Sequence, residues 1–179
     1  SDILLSTATA KWRELNAREE IHSFTDNINK IGSGYNFGKD FVMKGAMYLT
    51  EDLPIQYKLS SFTQSNLEKI EDHWETTKEC IHQSIQLVHS FGFNDKNLVT
   101  KLALLPIAQH LKKTKRNGYL TSSNINDVIE QNNIQQWLVF FIWKNALGSS
   151  TDTVLSTLRK IIESNSSKYF PHEEINKQL

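Results

Sequence analysis

The stretch Thr63–Phe93, TQSNLEKIEDHWETTKECIHQSIQLVHSFGF, constrains the fold more than any other part of the chain. Leu67, Ile70, Trp74, Ile81, Ile85 and Val88 recur at steps of three, four and seven, which puts them on one helical face. The pattern predicts a single helix of about 27 residues, about 40 Å long at 1.5 Å per residue. Thr63 suits the N-cap, and Phe62 and Leu67 bracket it as a hydrophobic staple requires. Gly92 suits a left-handed C′ position, with Phe93 placed to touch Val88 in a Schellman close. Such a helix is a scaffold element and carries no chemistry of its own.

The remaining segments read as helices too. Ala17–Ile31 has Ile21, Phe24, Ile28 and Ile31 on one face, and Gly32-Ser33-Gly34 forms a turn after it. Gly38–Thr50 is the next helix. Gly45 inside it costs about 1 kcal/mol relative to Ala, for which a close helix crossing is the usual structural reason. Leu53–Leu59 alternates apolar and polar residues but has no second strand to pair with, so it is an extended connector. Leu98–Lys115 is helical, and Pro106 within it implies either a kink or a start near Leu102. Ile125–Leu147 is helical with a break expected near Asn132-Asn133. Its part 134–147 contains the run Trp137–Trp143, apolar on all sides, and is expected to be the buried central helix. Ser149–Asp152 caps a helix over Thr153–Ser164, and Glu173–Leu179 forms a short last helix. The fold class is therefore all-α: a multi-helix orthogonal bundle around the long helix 63–91 and the apolar helix 134–147, in one domain spanning 1–179. Ile3, Leu4, Leu5 and Ala8 begin an apolar helical face at once, so the chain is expected to be a fragment of a longer polypeptide.

Composition narrows the function classes. Twenty basic and twenty acidic side chains cancel, which argues against a dedicated nucleic-acid domain with a large positive field. One cysteine, Cys80, excludes an internal disulfide and a cysteine-rich zinc site, and fits a reducing cytoplasm. The longest apolar run, Trp137–Trp143, is far short of the roughly 20 residues of a membrane span, so no membrane partner is expected. Among the histidines, His73 and Cys80, and likewise His82 and His89, are seven apart. At about 10 Å of helical rise such pairs do not chelate one ion. No metal ligands, catalytic residues or cofactor are assigned. Gly148–Thr153 offers backbone N–H groups at a helix start, but Asp152 repels an anion and helix capping explains the pattern. The one local charge cluster is Lys112, Lys113, Lys115 and Arg116. At a helix end it suits the dipole; as a site, it would contact a nucleic-acid backbone.

Several short motifs recur in a definite order: Ser1–Ser6, Phe37–Lys44, Ile70-Glu71-Asp72-His73-Trp74, Ser90-Phe91-Gly92-Phe93, Ala103–Ala108 and Gly148–Leu155. In that order they resemble the helical region of the bacterial family called domain of unknown function 262, whose relatives include GmrSD-type modification-dependent restriction enzymes. The resemblance spans essentially the whole chain. In that family a ParB/sulfiredoxin-like, nucleotide-using domain precedes this region, and many members add a C-terminal HNH nuclease. Neither the Asp-Gly-Gln-Gln-Arg motif of the former nor the nuclease motif is present here, so no catalytic residue carries over. The resemblance implies a non-catalytic helical domain of a DNA-processing or phage-defence protein, cytoplasmic, packed on its nucleotide-using neighbour and contacting DNA. The intact parent would be the NTPase or endonuclease. The alternative is a protein-interaction or oligomerisation module with no nucleic-acid role.

Overall fold

The computed structural model describes residue 6 and residues 12–115, 122–148 and 150–178. Within them the fold is an all-α bundle without strands. Its helices are α1 (Ala17–Asn29), α2 (Lys39–Leu49), α3 (Gln64–Asp72), α4 (Trp74–Ser90), α5 (Leu104–Thr114), α6 (Ile125–Trp143), α7 (Thr151–Ser164) and α8 (His172–Gln178), with 3-10 turns at Leu59–Ser61 and Lys101–Ala103. Apart from Ser6, the expected helix over Ser1–Lys11 falls outside the described residues, as does Arg116. No described helix is long and apolar enough to cross a membrane.

The long helix is present but divided. Its ends are those its residues specify: the Thr63 hydroxyl accepts from the Asn66 N–H at 3.2 Å, and Phe62 and Leu67 are buried around it. At the far end Gly92 has φ +88°, Gly92 N–H donates to His89 O and Phe93 N–H to Val88 O, the two bonds of a Schellman close. Between them His73 leaves helical geometry (φ −106°, ψ 8°) and separates α3 from α4. The ladder resumes at once, since Thr77 N–H donates to His73 O at 2.9 Å. All six face residues, Leu67, Ile70, Trp74, Ile81, Ile85 and Val88, stay in the core across the break.

The central position belongs to α5 and α2, and not to residues 134–147. Every residue from Leu104 to Leu111 is buried, and α5 packs on α2, α4 and α7. Pro106 sits in the first turn of α5, where its missing N–H breaks no bond, so the late start is the correct one of the two expected. Gly45 lies where α2 crosses α4 and α5: a Cβ there would stand 2.8 Å from Ile81 Cδ1 and 3.3 Å from Leu105 Cδ2.

Helix α6 runs unbroken through Asn132-Asn133 and lies at the side of the bundle, against α8 and the turn at Lys101–Ala103. Glu130, Ile134, Trp137, Leu138 and Phe141 face inward. Val139 and Trp143, expected in the core, are exposed. Apolarity on all sides thus marks a helix with two apolar faces, only one of which the fold covers. Asn145, at φ +48°, closes α6: Asn145 N–H donates to Ile142 O and Ala146 N–H to Phe141 O.

Candidate functional site

The basic run sits at the C-terminal end of α5, and there its lysines meet helix carbonyls. Lys112 Nζ donates to Leu49 O at 2.6 Å, at the end of α2. Lys113 Nζ donates to Ile162 O at 2.7 Å, to Glu163 O at 2.9 Å and to Asn165 O, at the end of α7. Neither α2 nor α7 has a basic residue in its own last turn. The chain supplies those cations from α5 instead, which satisfies orphan carbonyls and opposes the negative end of each dipole. Arg159 completes the closure of α2. Its Nη1 donates to Leu53 O at 2.7 Å, its Nη2 to Thr50 O, and the guanidinium lies 5.7 Å from the centre of the Tyr48 ring. Lys115 is exposed, in the left-handed conformation that ends α5.

Around these groups lies a cleft of about 740 Å³. Leu49 and Tyr48 from α2, Gln109 and Lys112 from α5, and Thr76, Cys80 and Gln83 from α4 line it, with His73 at the α3–α4 break and Glu163 from α7. The sequence-predicted lysines 112, 113 and 115 are therefore brought together along one cleft, beside His73 and Cys80. Among the described residues, no three His, Cys, Asp or Glu side chains are grouped to hold a metal ion. Burial, with Glu79 nearby, pushes the Cys80 thiol up to about 11, against a smaller opposing pull from Lys112, so the sulfur is a neutral thiol at pH 7. Burial also raises the Tyr48 phenol well above its ordinary value, despite Arg159. Among the described residues, Tyr48 Oη and Gln109 Oε1 have no hydrogen-bond partner. Cys80 and Tyr48 beside the cleft are thus protonated at neutral pH. Gly148–Thr153, weighed as an anion site, places Asp152 in an ion pair with Lys44, as a helix start with its own counter-ion.

The second exposed feature is the outward face of α6. Ile125 (68% exposed), Ile129 (51%), Val139 (52%) and Trp143 (77%), with Val128, form one stripe on the side opposite Ile134 and Phe141. Asn132 and Gln136, also exposed, lie in the middle of it. At about 100° per residue the whole set falls within an arc of roughly 100°. The two charged residues of α6 lie off this stripe: Glu130 is buried against His110 Nε2 at 2.6 Å and the Phe170 N–H at 3.0 Å, and Asp127 accepts from the Ser122 hydroxyl. Sequence reasoning missed this face because it assigned the second apolar stripe to the core; the signal was the period of 125, 129, 132, 136, 139 and 143, which repeats as a face of its own.

No protein-family model matches the chain, and no curated protein matches it.

Proposed function

We propose that this chain is a non-catalytic helical module that works by protein contact through the outward face of α6, within a DNA-processing or phage-defence protein of the kind the motif order implies. The observation that carries the reading is the uncharged apolar stripe Ile125, Val128, Ile129, Val139 and Trp143 on a helix whose opposite side already serves the core. Scattered apolar residues on a surface mean little; apolar side chains that keep to one face along the whole helix, with only the uncharged amides of Asn132 and Gln136 between them, mark an interaction surface. The neutral Cys80 thiol in the cleft supports a structural part in place of nucleophilic chemistry.

The test is Ile129→Glu combined with Trp143→Glu in the parent polypeptide. Both side chains are exposed, so circular dichroism and thermal stability of the module should hold while assembly and activity of the parent are lost. An unchanged assembly refutes the reading, as does metal-dependent nucleotide or DNA turnover by this chain alone.

DNA contact is the second part of the proposal and rests on Lys115 and Arg116, because the ends of Lys112 and Lys113 are hydrogen-bonded to carbonyls. Two phosphate contacts give a log–log salt slope of about −2. A salt-independent affinity, or one untouched by charge reversal at Lys115 and Arg116, removes it.

A further inference from the structure

We infer that the partner covering the α6 face is a second copy of this chain, packed antiparallel about a twofold axis beside Ile134. The inference rests on the interaction reading above and names its occupant. A twofold interface is isologous: if residue i touches j, then j touches i. For an antiparallel helix pair the touching positions are mirror images about one point in the helix. The exposed stripe of α6 has that symmetry. About Ile134, Ile125 mirrors Trp143, Ile129 mirrors Val139, Val128 mirrors the half-buried Phe140, and Asn132 mirrors Gln136. Along the middle of the stripe each apolar position therefore lies level with an apolar position, and the two polar positions lie level with each other, while Val128 and Phe140 flank opposite edges. Each Asn132–Gln136 pair joins two side-chain amides, in which the carbonyl of one accepts from the NH₂ of the other, and symmetry makes the pair twice. A parallel arrangement has no such axis across the stripe.

Electrostatics favour the same occupant. The stripe itself carries no charged side chain, and Lys144, whose ammonium lies 5.2 Å from the centre of the Phe140 ring, stands at its edge, so two copies meet without opposing like charges along the stripe. In the antiparallel pair, the positive N-terminal end of each α6 lies beside the negative C-terminal end of the other. The area is adequate. At exposures of 37% (Val128) to 77% (Trp143), the five apolar side chains leave on the order of 600 Å² open on each copy. Two copies then cover about 1,200 Å², the lower end of a specific interface. A crossing near 20° keeps the faces in register along the helix, about 28 Å long. The central amides of Asn132 and Gln136 specify that register, as a lone polar position does in a coiled coil.

Sedimentation velocity of this chain over increasing concentration should show a monomer–dimer equilibrium. Trp143→Glu should weaken it at least about 30-fold, as loss of an aromatic anchor does, with an unchanged circular dichroism spectrum. Orientation is read by disulfide trapping in a Cys80→Ser background. A mixture of Ile129→Cys and Val139→Cys chains should cross-link between the two types. Ile129→Cys alone should not, because its two copies are ten residues apart along the pair, about 15 Å. A chain that stays monomeric at the highest attainable concentration overturns the inference. So does efficient cross-linking of Ile129→Cys to itself, which indicates a parallel pair. If the chain is monomeric while the charged α6 variants still disrupt the parent, the contact surface stands and only its occupant falls; if both measurements fail, both readings fall.

Discussion

Replacing Arg159 by Met should be the most damaging single change that leaves the shape of the core nearly intact. The guanidinium is almost fully buried and serves backbone carbonyls at and just beyond the end of α2. Nη1 donates to Leu53 O at 2.7 Å; Nη2 donates to Thr50 O and approaches Met47 O at 3.5 Å. Methionine fills much of the same volume, so the cavity contribution is small. A buried ion pair replaced whole by apolar groups is often neutral, because both charges go. Here the partners are backbone carbonyls, which remain and lose charge-assisted bonds worth about 1.5–3 kcal/mol each. With two good bonds and some recovery by water, the expected loss is about 3–4 kcal/mol. At about 2–4 °C per kcal/mol for a chain of this size, that lowers the melting temperature by roughly 10 °C. Arg159→Lys should recover less than half, since one ammonium cannot reproduce the planar fork. Urea unfolding followed by circular dichroism measures both. Glu163 is the control: its ion pair with Arg159 Nε, at 3.3 Å, is half exposed, so Glu163→Gln should cost under about 1 kcal/mol. If Arg159→Met costs less than about 1 kcal/mol, below the worth of even one charge-assisted bond, the closure of α2 does not depend on this residue and the reasoning fails.

Gly45→Ala should destabilise despite the gain of about 1 kcal/mol in helix propensity. The new methyl would press on Ile81 Cδ1 and Leu105 Cδ2, both in the core, and overpacking of this sort costs about 1–3 kcal/mol; a raised melting temperature in calorimetry would show that the crossing has slack. Acid should weaken the fold through Glu20 and Glu71. Hydrogen bonds from the Trp74 indole and from Lys78 hold Glu20 below its ordinary value of 4.5. Burial raises the Glu71 carboxyl, but the N–H groups of Arg13, Glu14 and Leu15 outweigh it and leave the group lowered. A lowered folded-state value means the contribution is complete above the unfolded value and is lost as pH falls through the folded one. Stability should therefore be flat on the neutral side of 4.5 and decline below it, and Glu20→Gln should shallow that decline in pH-dependent urea titrations. An identical slope in the variant would remove Glu20 from the account.

What the sequence made legible is what local chemistry decides. The ends of the long helix were readable because Thr63 and Gly92 act within a few residues of themselves. Gly45 was readable because its cost inside a helix demands a compensating contact, and Ile81 with Leu105 provides it. The break at His73 was not readable: neither a proline nor a glycine marks it, and the apolar face continues through it. The basic run was legible as a cluster but not in its use. Lys112 and Lys113 find their carbonyls 63 and 49 residues away in the chain, and no local pattern reveals such partners. The rank order of the apolar helices failed for a related reason. Composition shows that α6 is more apolar than one core requires, but only the packing shows that α5, with its Gln109 and His110 turned inward, takes the centre.

The stretch Ile70-Glu71-Asp72-His73-Trp74 gathers these points into one physical argument. Each residue type has a separate task, and the tasks converge on the segment 12–20. Trp74 is fully buried, meets Trp12 edge-on at 5.3 Å and Phe24 at 5.8 Å, and donates its indole N–H to Glu20 at 2.8 Å. Glu71 receives the N–H groups of Arg13, Glu14 and Leu15 at 2.7, 2.8 and 2.9 Å, and Asp72 receives the Arg13 guanidinium. A carboxylate that binds three successive N–H groups fixes the path of the backbone there as a helix would. The turn at His73 falls between the two anchoring side chains, Glu71 on α3 and Trp74 on α4, so the break divides them between two helix ends facing one segment. A motif of this composition is therefore required by how residues 12–20 dock on the bundle, and needs no catalytic role to explain its order.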